Sequence, residues 1–231
     1  MGPLRMVVTA LIITALAGCD VTPVAAPAPA SAPPSRNDIS AIVARLAPVV
    51  QDSCETAAIV DNCRIRLYVA ETRDGDANAF QSFDRFGRPF VLVTPQLLEK
   101  AQSADEIALV LAHEAAHHIL GHLARQKEDA QFGATLLAEA AAEQGASPRE
   151  IREARKIGAF VGARSFSQDY ELEADALGAL IAREAGFDPI RGVAFFLRIP
   201  DPGEDALSTH PSNAQRMAVV RQALRTGQGL N

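Results

Sequence analysis

Apolar positions in this chain first follow helical spacing, then alternate, then return to helical spacing. Ile39, Ile42, Val43, Leu46, Val49 and Val50 recur as on one face of a helix. Ser35 with Asp38 reads as a capping-box-like pair before that run, with Asp in the usual Glu or Gln place. Pro48 is expected to kink or shorten this helix. Arg64 to Ala70, Ala79 to Asp84 and Pro89 to Thr94 read as strands, with Asp74-Gly75 and Phe86-Gly87 as turn signals. Together they predict a small antiparallel sheet.

From Thr94 onward the pattern is helical. Thr94-Pro95 reads as an N-cap and first helical residue. Ser103 with Glu106 forms a capping box for a helix from about Ala104 to Arg125. An Ala-rich helix follows from about Lys127 to Gln144, ended at Gly145. Ser147-Pro148 with Glu150 opens the next. A further helix covers about Gln168 to Glu184, stopped by Gly186. Asp188-Pro189 begins a shorter one, and Ser212 with Gln215 caps the last. No internal repeat is present. The predicted class is α+β, mostly helical with one small sheet.

The first residues do not belong to that fold. Arg5 precedes an apolar stretch from Met6 to Leu16, the length of a signal-peptide core and too short for a bilayer span. It ends in Leu16-Ala17-Gly18-Cys19, which resembles a bacterial lipobox, so Cys19 is the expected lipidation site. The alternative is an ordinary signal peptide with a chance cysteine. Asp20 slightly favours retention at the inner membrane. Val21 to Ser35 is rich in Pro and Ala and reads as an extended tether. The expected organisation is a signal peptide over 1–18, a lipidated tether over 19–35 and a globular domain over 36–231. The expected location is the periplasmic side of a bacterial membrane, held through the lipid anchor.

Composition narrows the function. At 48% hydrophobic and 22% charged residues, 231 residues can bury a real core, which excludes wholesale disorder. A net charge of −6 without a basic cluster argues against nucleic-acid partners. No apolar run is long enough for a multispan membrane protein. With Cys19 acylated, Cys54 and Cys63 remain, and an oxidising compartment favours a disulfide between them over two buried free thiols.

The chemistry concentrates in two segments. His113-Glu114-Ala115-Ala116-His117 is an HExxH motif. Residues four apart on a helix sit about 40° apart, so both imidazoles can reach one metal ion, with Glu114 placed to take a proton from water. A catalytic zinc needs a third ligand. His122 is out of register for that role, about 140° round a continuous helix from His117, and would point away from the metal. Glu171 and Asp175 share a helical face further on. Glu171 fits a metal ligand, and Asp175 fits a hydrogen-bond acceptor for the outer nitrogen of a ligand histidine. Glu173, about 200° from Glu171, should face elsewhere.

These segments resemble the HtpX-like and CaaX-prenyl-protease zinc metallopeptidases, in their periplasmic lipoprotein (BepA/LoiP-like) branch without the repeat domain. The resemblance runs from about Val69 to Arg216. Ala77-Asn78-Ala79-Phe80 is similar to the family's N-A-F segment, and Asp105 to Ala112 leads into HExxH as in that family. Ser167 to Asp175 is similar to its S-x-x-x-E-x-x-A-D stretch. Ser208-Thr209-His210-Pro211 with Arg216 is similar to its T-H-P-x-x-x-x-R element.

The resemblance implies a zincin-type, gluzincin-like domain holding one Zn2+ per chain through His113, His117 and Glu171. It makes Glu114 the general base and brings His210 to the site, where it either stabilises the oxyanion or latches the metal's open position. Arg216 either joins in or only holds the loop. Asn78, Ala79 and Phe80 would bind substrate by adding it as a β-strand, the alternative being a plain edge strand. The implied activity is hydrolysis of peptide bonds in misfolded or unassembled envelope proteins. A rival reading is a zinc-binding periplasmic chaperone or assembly factor with little proteolysis, and another is a structural lipoprotein with an accidental motif.

Overall fold

In the computed structural model the described residues are 38–71, 76–198 and 210–229. Cys19, Asp20, the signal peptide, the tether, Ser35 and the Asp74-Gly75 turn lie outside them, as do Ser208 and Thr209. Among the described residues the order is α1 (Ile39–Ala57), β1 (Arg66–Val69), β2 (Ala79–Phe83), β3 (Pro89–Val93) and α2 (Pro95–Lys100), followed by α3 (Ala104–Ile119), α4 (His122–Glu143), α5 (Pro148–Ser165), α6 (Ser167–Glu184), α7 (Pro189–Gly192), α8 (Ala194–Leu197) and α9 (Asn213–Thr226).

Asp38 is itself the N-cap of α1, accepting the Ala41 N–H, so it does not act as the inner half of a pair with Ser35. Ile42, Leu46, Val50 and Cys54 form its buried stripe, and the helix continues past Pro48 to Ala57. A disulfide joins Cys54 to Cys63, tying the end of α1 to the segment that enters β1.

The sheet is mixed, which corrects the antiparallel expectation. Its order is β1-β3-β2, with β1 parallel to β3 and β2 antiparallel to β3. β1 and β2 do run in opposite directions, as a direct hairpin would, but β3 inserts between them. The β2–β3 turn is set by Asp84, which accepts the N–H groups of Phe86 and Arg88 and pairs with the Arg66 and Arg88 guanidiniums. Because β3 takes the centre, β2 becomes an edge. Val91 and Val93 of β3 face the core, while Phe80 of β2 packs edge-on to Phe90 on the outer face.

Helix α3 is the centre of the domain. Ser103 caps it by accepting the Glu106 N–H, and Glu106 in turn accepts the Gln102 N–H. Fourteen of its sixteen residues are buried, and the two that are not are Glu114 and His117. A helix buried nearly all round contributes core on every side, so these two positions mark its one open face. Below α3, α6 packs close. A Cβ on Gly178 would lie 2.9 Å from both the Cα and the N of His113, so the absence of a side chain at 178 allows this approach.

The single helix expected from Ala104 to Arg125 is two helices. α3 ends at Ile119 and Gly121, at φ 67°, sits between the helices and turns the chain into α4 at His122. A left-handed residue after a helix is a common stop, and glycine adopts it without strain. α4 and α5 then form an antiparallel pair whose backbones meet at Gly133, Gly158 and Gly162. No described helix is long and apolar enough to cross a membrane.

Candidate metal centre and active site

Three donors converge from two helices. His113 and His117, one turn apart on α3, bring their Nε2 atoms within 3.1 Å of each other. Glu171, on the first half of α6, places Oε2 3.4 Å from His113 Nε2 and Oε1 3.2 Å from His117 Nε2. Donors about 2.0–2.1 Å from a tetrahedral ion lie about 3.3–3.4 Å apart. The 3.1 Å between the two rings, and the approach of a different Glu171 oxygen to each ring at 3.2 and 3.4 Å, suit such an ion, and two imidazoles with a carboxylate are a donor set that zinc accepts. These three form the one metal-competent group found among the described residues.

The electrostatics agree with that donor set. Burial works against ionising Glu171, but contacts from His113, His117 and His210 hold it well below the usual carboxylate range. Burial also opposes a charge on His113, yet Asp175 and Glu171 push its pKa up to about 10. A buried and a partly buried carboxylate thus favour positive charge at this point, whether as a proton on His113 or as a cation among the three donors.

Asp175 lies one turn beyond Glu171. Its Oδ1 is 2.9 Å from His113 Nδ1, close enough for charge pairing though off the ideal N–H direction. Arg216, near the start of α9, donates to Asp175 through Nε and Nη2, each at 2.7 Å, while its guanidinium covers the Phe196 ring at 3.5 Å. Both partners are buried. Arg216 therefore does more than hold a loop, because it fixes the carboxylate behind a proposed ligand.

A cavity of about 770 Å³ opens over the three donors. Glu114 lines it, and desolvation raises its pKa despite the opposing charges of His113 and His117. His210, itself exposed, places Nδ1 3.1 Å from Glu171 Oε2. Asn78 and Ala79, at the start of β2, line the same cavity, whereas Phe80 does not. In the ladder, Asn78 accepts the Thr94 N–H and donates to Thr94 Oγ1, and Ala79 sits opposite Val93. Antiparallel pairs alternate, so Ala79 occupies a position whose N–H and C=O point away from β3, toward the open edge.

His122 is the residue that sequence reasoning misplaced. The helix break at Gly121 swings it back, and its Nδ1 lies 2.8 Å from His117 Nδ1. Its Nε2 is 3.1 Å from Glu173 Oε2. Glu173 does face away from the donors, but toward His122 and Arg125. Burial, followed by the neighbouring His117, pushes the His122 pKa down to about 4 despite Glu173. The signal in the sequence was the Leu120-Gly121 stop, which ends the register used to place His122. His118 is buried and hydrogen-bonds the Asn62 carbonyl, tying α3 to the segment after α1.

The sequence has relatives among known proteins. The chain is 34% identical over 169 residues to the putative beta-barrel assembly-enhancing protease of Vibrio cholerae, covering 66% of this chain and 34% of that protein. It is 31% identical over 160 residues to the beta-barrel assembly-enhancing protease of Escherichia coli K12, covering 61% and 31%. The mitochondrial metalloendopeptidase OMA1 of Arabidopsis thaliana is 30% identical over 137 residues, covering 58% and 27%. The chain thus spans about a third of the length of the curated relatives it matches. The family pattern covers residues 39–224, from the first helix through both donor helices to most of α9. With that match across the whole donor framework, the chain belongs to peptidase family M48, a family of metallopeptidases.

Proposed function

We propose that this chain is a zinc-dependent endopeptidase acting on misfolded or unassembled proteins of the bacterial envelope. The observation that carries the reading is the donor triangle of His113, His117 and Glu171 beside Glu114 in one cavity. His113, His117 and Glu171 would hold a zinc ion there, which would supply a Lewis acid that eases deprotonation of the attacking water. Glu114, half-buried with a raised pKa, suits a group that takes the proton of the attacking water and returns it to the departing amine. The outward N–H and C=O of Ala79 suit an extended substrate backbone, giving grip with loose side-chain preference. The contact of His210 with Glu171 supports a role for its ring as donor to a developing oxyanion. The envelope setting rests on the named relatives and on the expected lipidation at Cys19.

The test is cleavage of casein by the zinc-loaded full chain beside Glu114→Gln. Wild type should cut and the variant should bind zinc without cutting. Equal cleavage by both would refute Glu114 as the base. The same His210 contact supports a second reading, a latched site with chaperone-like behaviour. Under that reading His210→Ala raises cleavage, and under the catalytic reading it lowers it.

A further inference from the structure

We infer that His122 is a positioning residue for His117, fixing its tautomer through a hydrogen-bonded chain that ends at Glu173 and Arg125. The inference rests on the reading that His113, His117 and Glu171 hold a metal. A ligand nitrogen presents its lone pair, so His117 Nε2 carries no proton and the ring proton sits on Nδ1. The atom facing that proton is His122 Nδ1, at 2.8 Å. His122 must then accept on Nδ1 and carry its own proton on Nε2. That proton meets Glu173 Oε2 at 3.1 Å, a carboxylate that only accepts. Starting from the ligand nitrogen, each link forces the next.

The chain is held at every joint. Arg125 donates to both oxygens of Glu173, at 2.6 and 3.2 Å. Tyr170 stacks on the His122 ring with centroids 4.9 Å apart and planes 20° apart, which sets the ring's tilt. His113 has a related support in the Asp175–Arg216 pair. Both ligand histidines are therefore backed by a carboxylate that an arginine holds, directly for His113 and through an inserted neutral imidazole for His117. Outer partners of this kind orient ligand rings and raise their basicity, and their loss typically costs about 10–100-fold in metal affinity.

The experiment compares wild type, His122→Phe and Glu173→Gln as full chains, with zinc affinity measured by chelator competition on folded protein. His122→Phe keeps a ring against Tyr170 and removes the accepting nitrogen. It should bind zinc about 10–100-fold more weakly. Glu173→Gln retains an accepting oxygen without the charge and should fall between the two. Nitrogen-15 spectra of the histidines in zinc-loaded wild type should place the His117 proton on Nδ1. If His122→Phe binds zinc within twofold of wild type, or the spectra place that proton on Nε2, the role is packing alone and the inference fails. Should His122→Phe not fold, Glu173→Gln decides, with wild-type affinity overturning the inference. A wild type that binds no zinc would instead overturn the metal reading beneath it.

Discussion

Replacing Gly178 by alanine should pull the donor triangle apart. The new Cβ would start 2.9 Å from the His113 Cα and N and 3.2 Å from the Ala112 carbonyl carbon. Ordinary contact begins at 3.4 Å, and backbone atoms cannot swing aside as a side chain can. α6 must therefore retreat from α3 by about 0.5 Å, the limit within which a functional constellation keeps its geometry. Glu171 lies two turns from Gly178 on the same face of α6, so it moves with that face. Overpacking of this kind costs about 3 kcal/mol, and the helical preference for Ala over Gly returns about 1 kcal/mol. A net loss near 2 kcal/mol lowers Tm by about 4–8 °C in a domain of this size. Thermal unfolding of the metal-free protein reads the first effect. Chelator competition reads the second, an expected loss of zinc affinity of about tenfold or more. A variant with unchanged Tm and zinc affinity within twofold of wild type would refute the claim that this approach sets the site.

Other consequences are separate. Arg216→Met leaves the Asp175 carboxylate buried without its cation, which should cost about 3–5 kcal/mol in urea unfolding; a change below about 1 kcal/mol would contradict the pairing. Ala79→Pro removes an outward N–H from an edge strand, where proline is tolerated. It should raise KM with little change in kcat, and an unchanged KM would remove the strand-addition reading. At Asp84, partial desolvation is outweighed by the N–H groups of Arg88 and Phe86 and by the Arg88 guanidinium, holding the pKa below the ordinary value of about 3.9. A carboxyl with a depressed folded pKa lends stability that is complete above about pH 4 and lost as pH falls below it. The Tm advantage of wild type over Asp84→Asn should therefore be constant from pH 5 to 7 and shrink in acid, and a gap that widens below pH 4 would contradict this.

Much of the site was legible because helical periodicity is local. The pairs His113 and His117, and Glu171 and Asp175, need only a four-residue step to share a face. Ser103, Ser147 and Ser212 announced helix starts through hydroxyls that accept a backbone N–H three residues on. What escaped was decided by contacts distant in sequence or by a single dihedral. Carrying one helix through Gly121 turned His122 away from His117, whereas the left-handed turn there brings it to 2.8 Å. The insertion of β3 between β1 and β2 is a matter of which strands pair across the sequence, which strand patterns do not encode, so the sheet read as antiparallel throughout. The grip of Arg216 on Asp175 joins α9 to α6, and neither residue signals the other. Phe80 sits in the strand that borders the cavity, but period-two alternation turns its ring to the outer face.

The central claim is that His113, His117 and Glu171 hold one zinc ion next to Glu114. A crystal of the zinc-loaded full chain, measured on both sides of the zinc absorption edge, tests it most directly. The account predicts one anomalous peak, about 2.0–2.2 Å from the Nε2 atoms of His113 and His117 and from a Glu171 oxygen. A zinc peak away from these donors, or one that persists unchanged in His117→Ala, would contradict it.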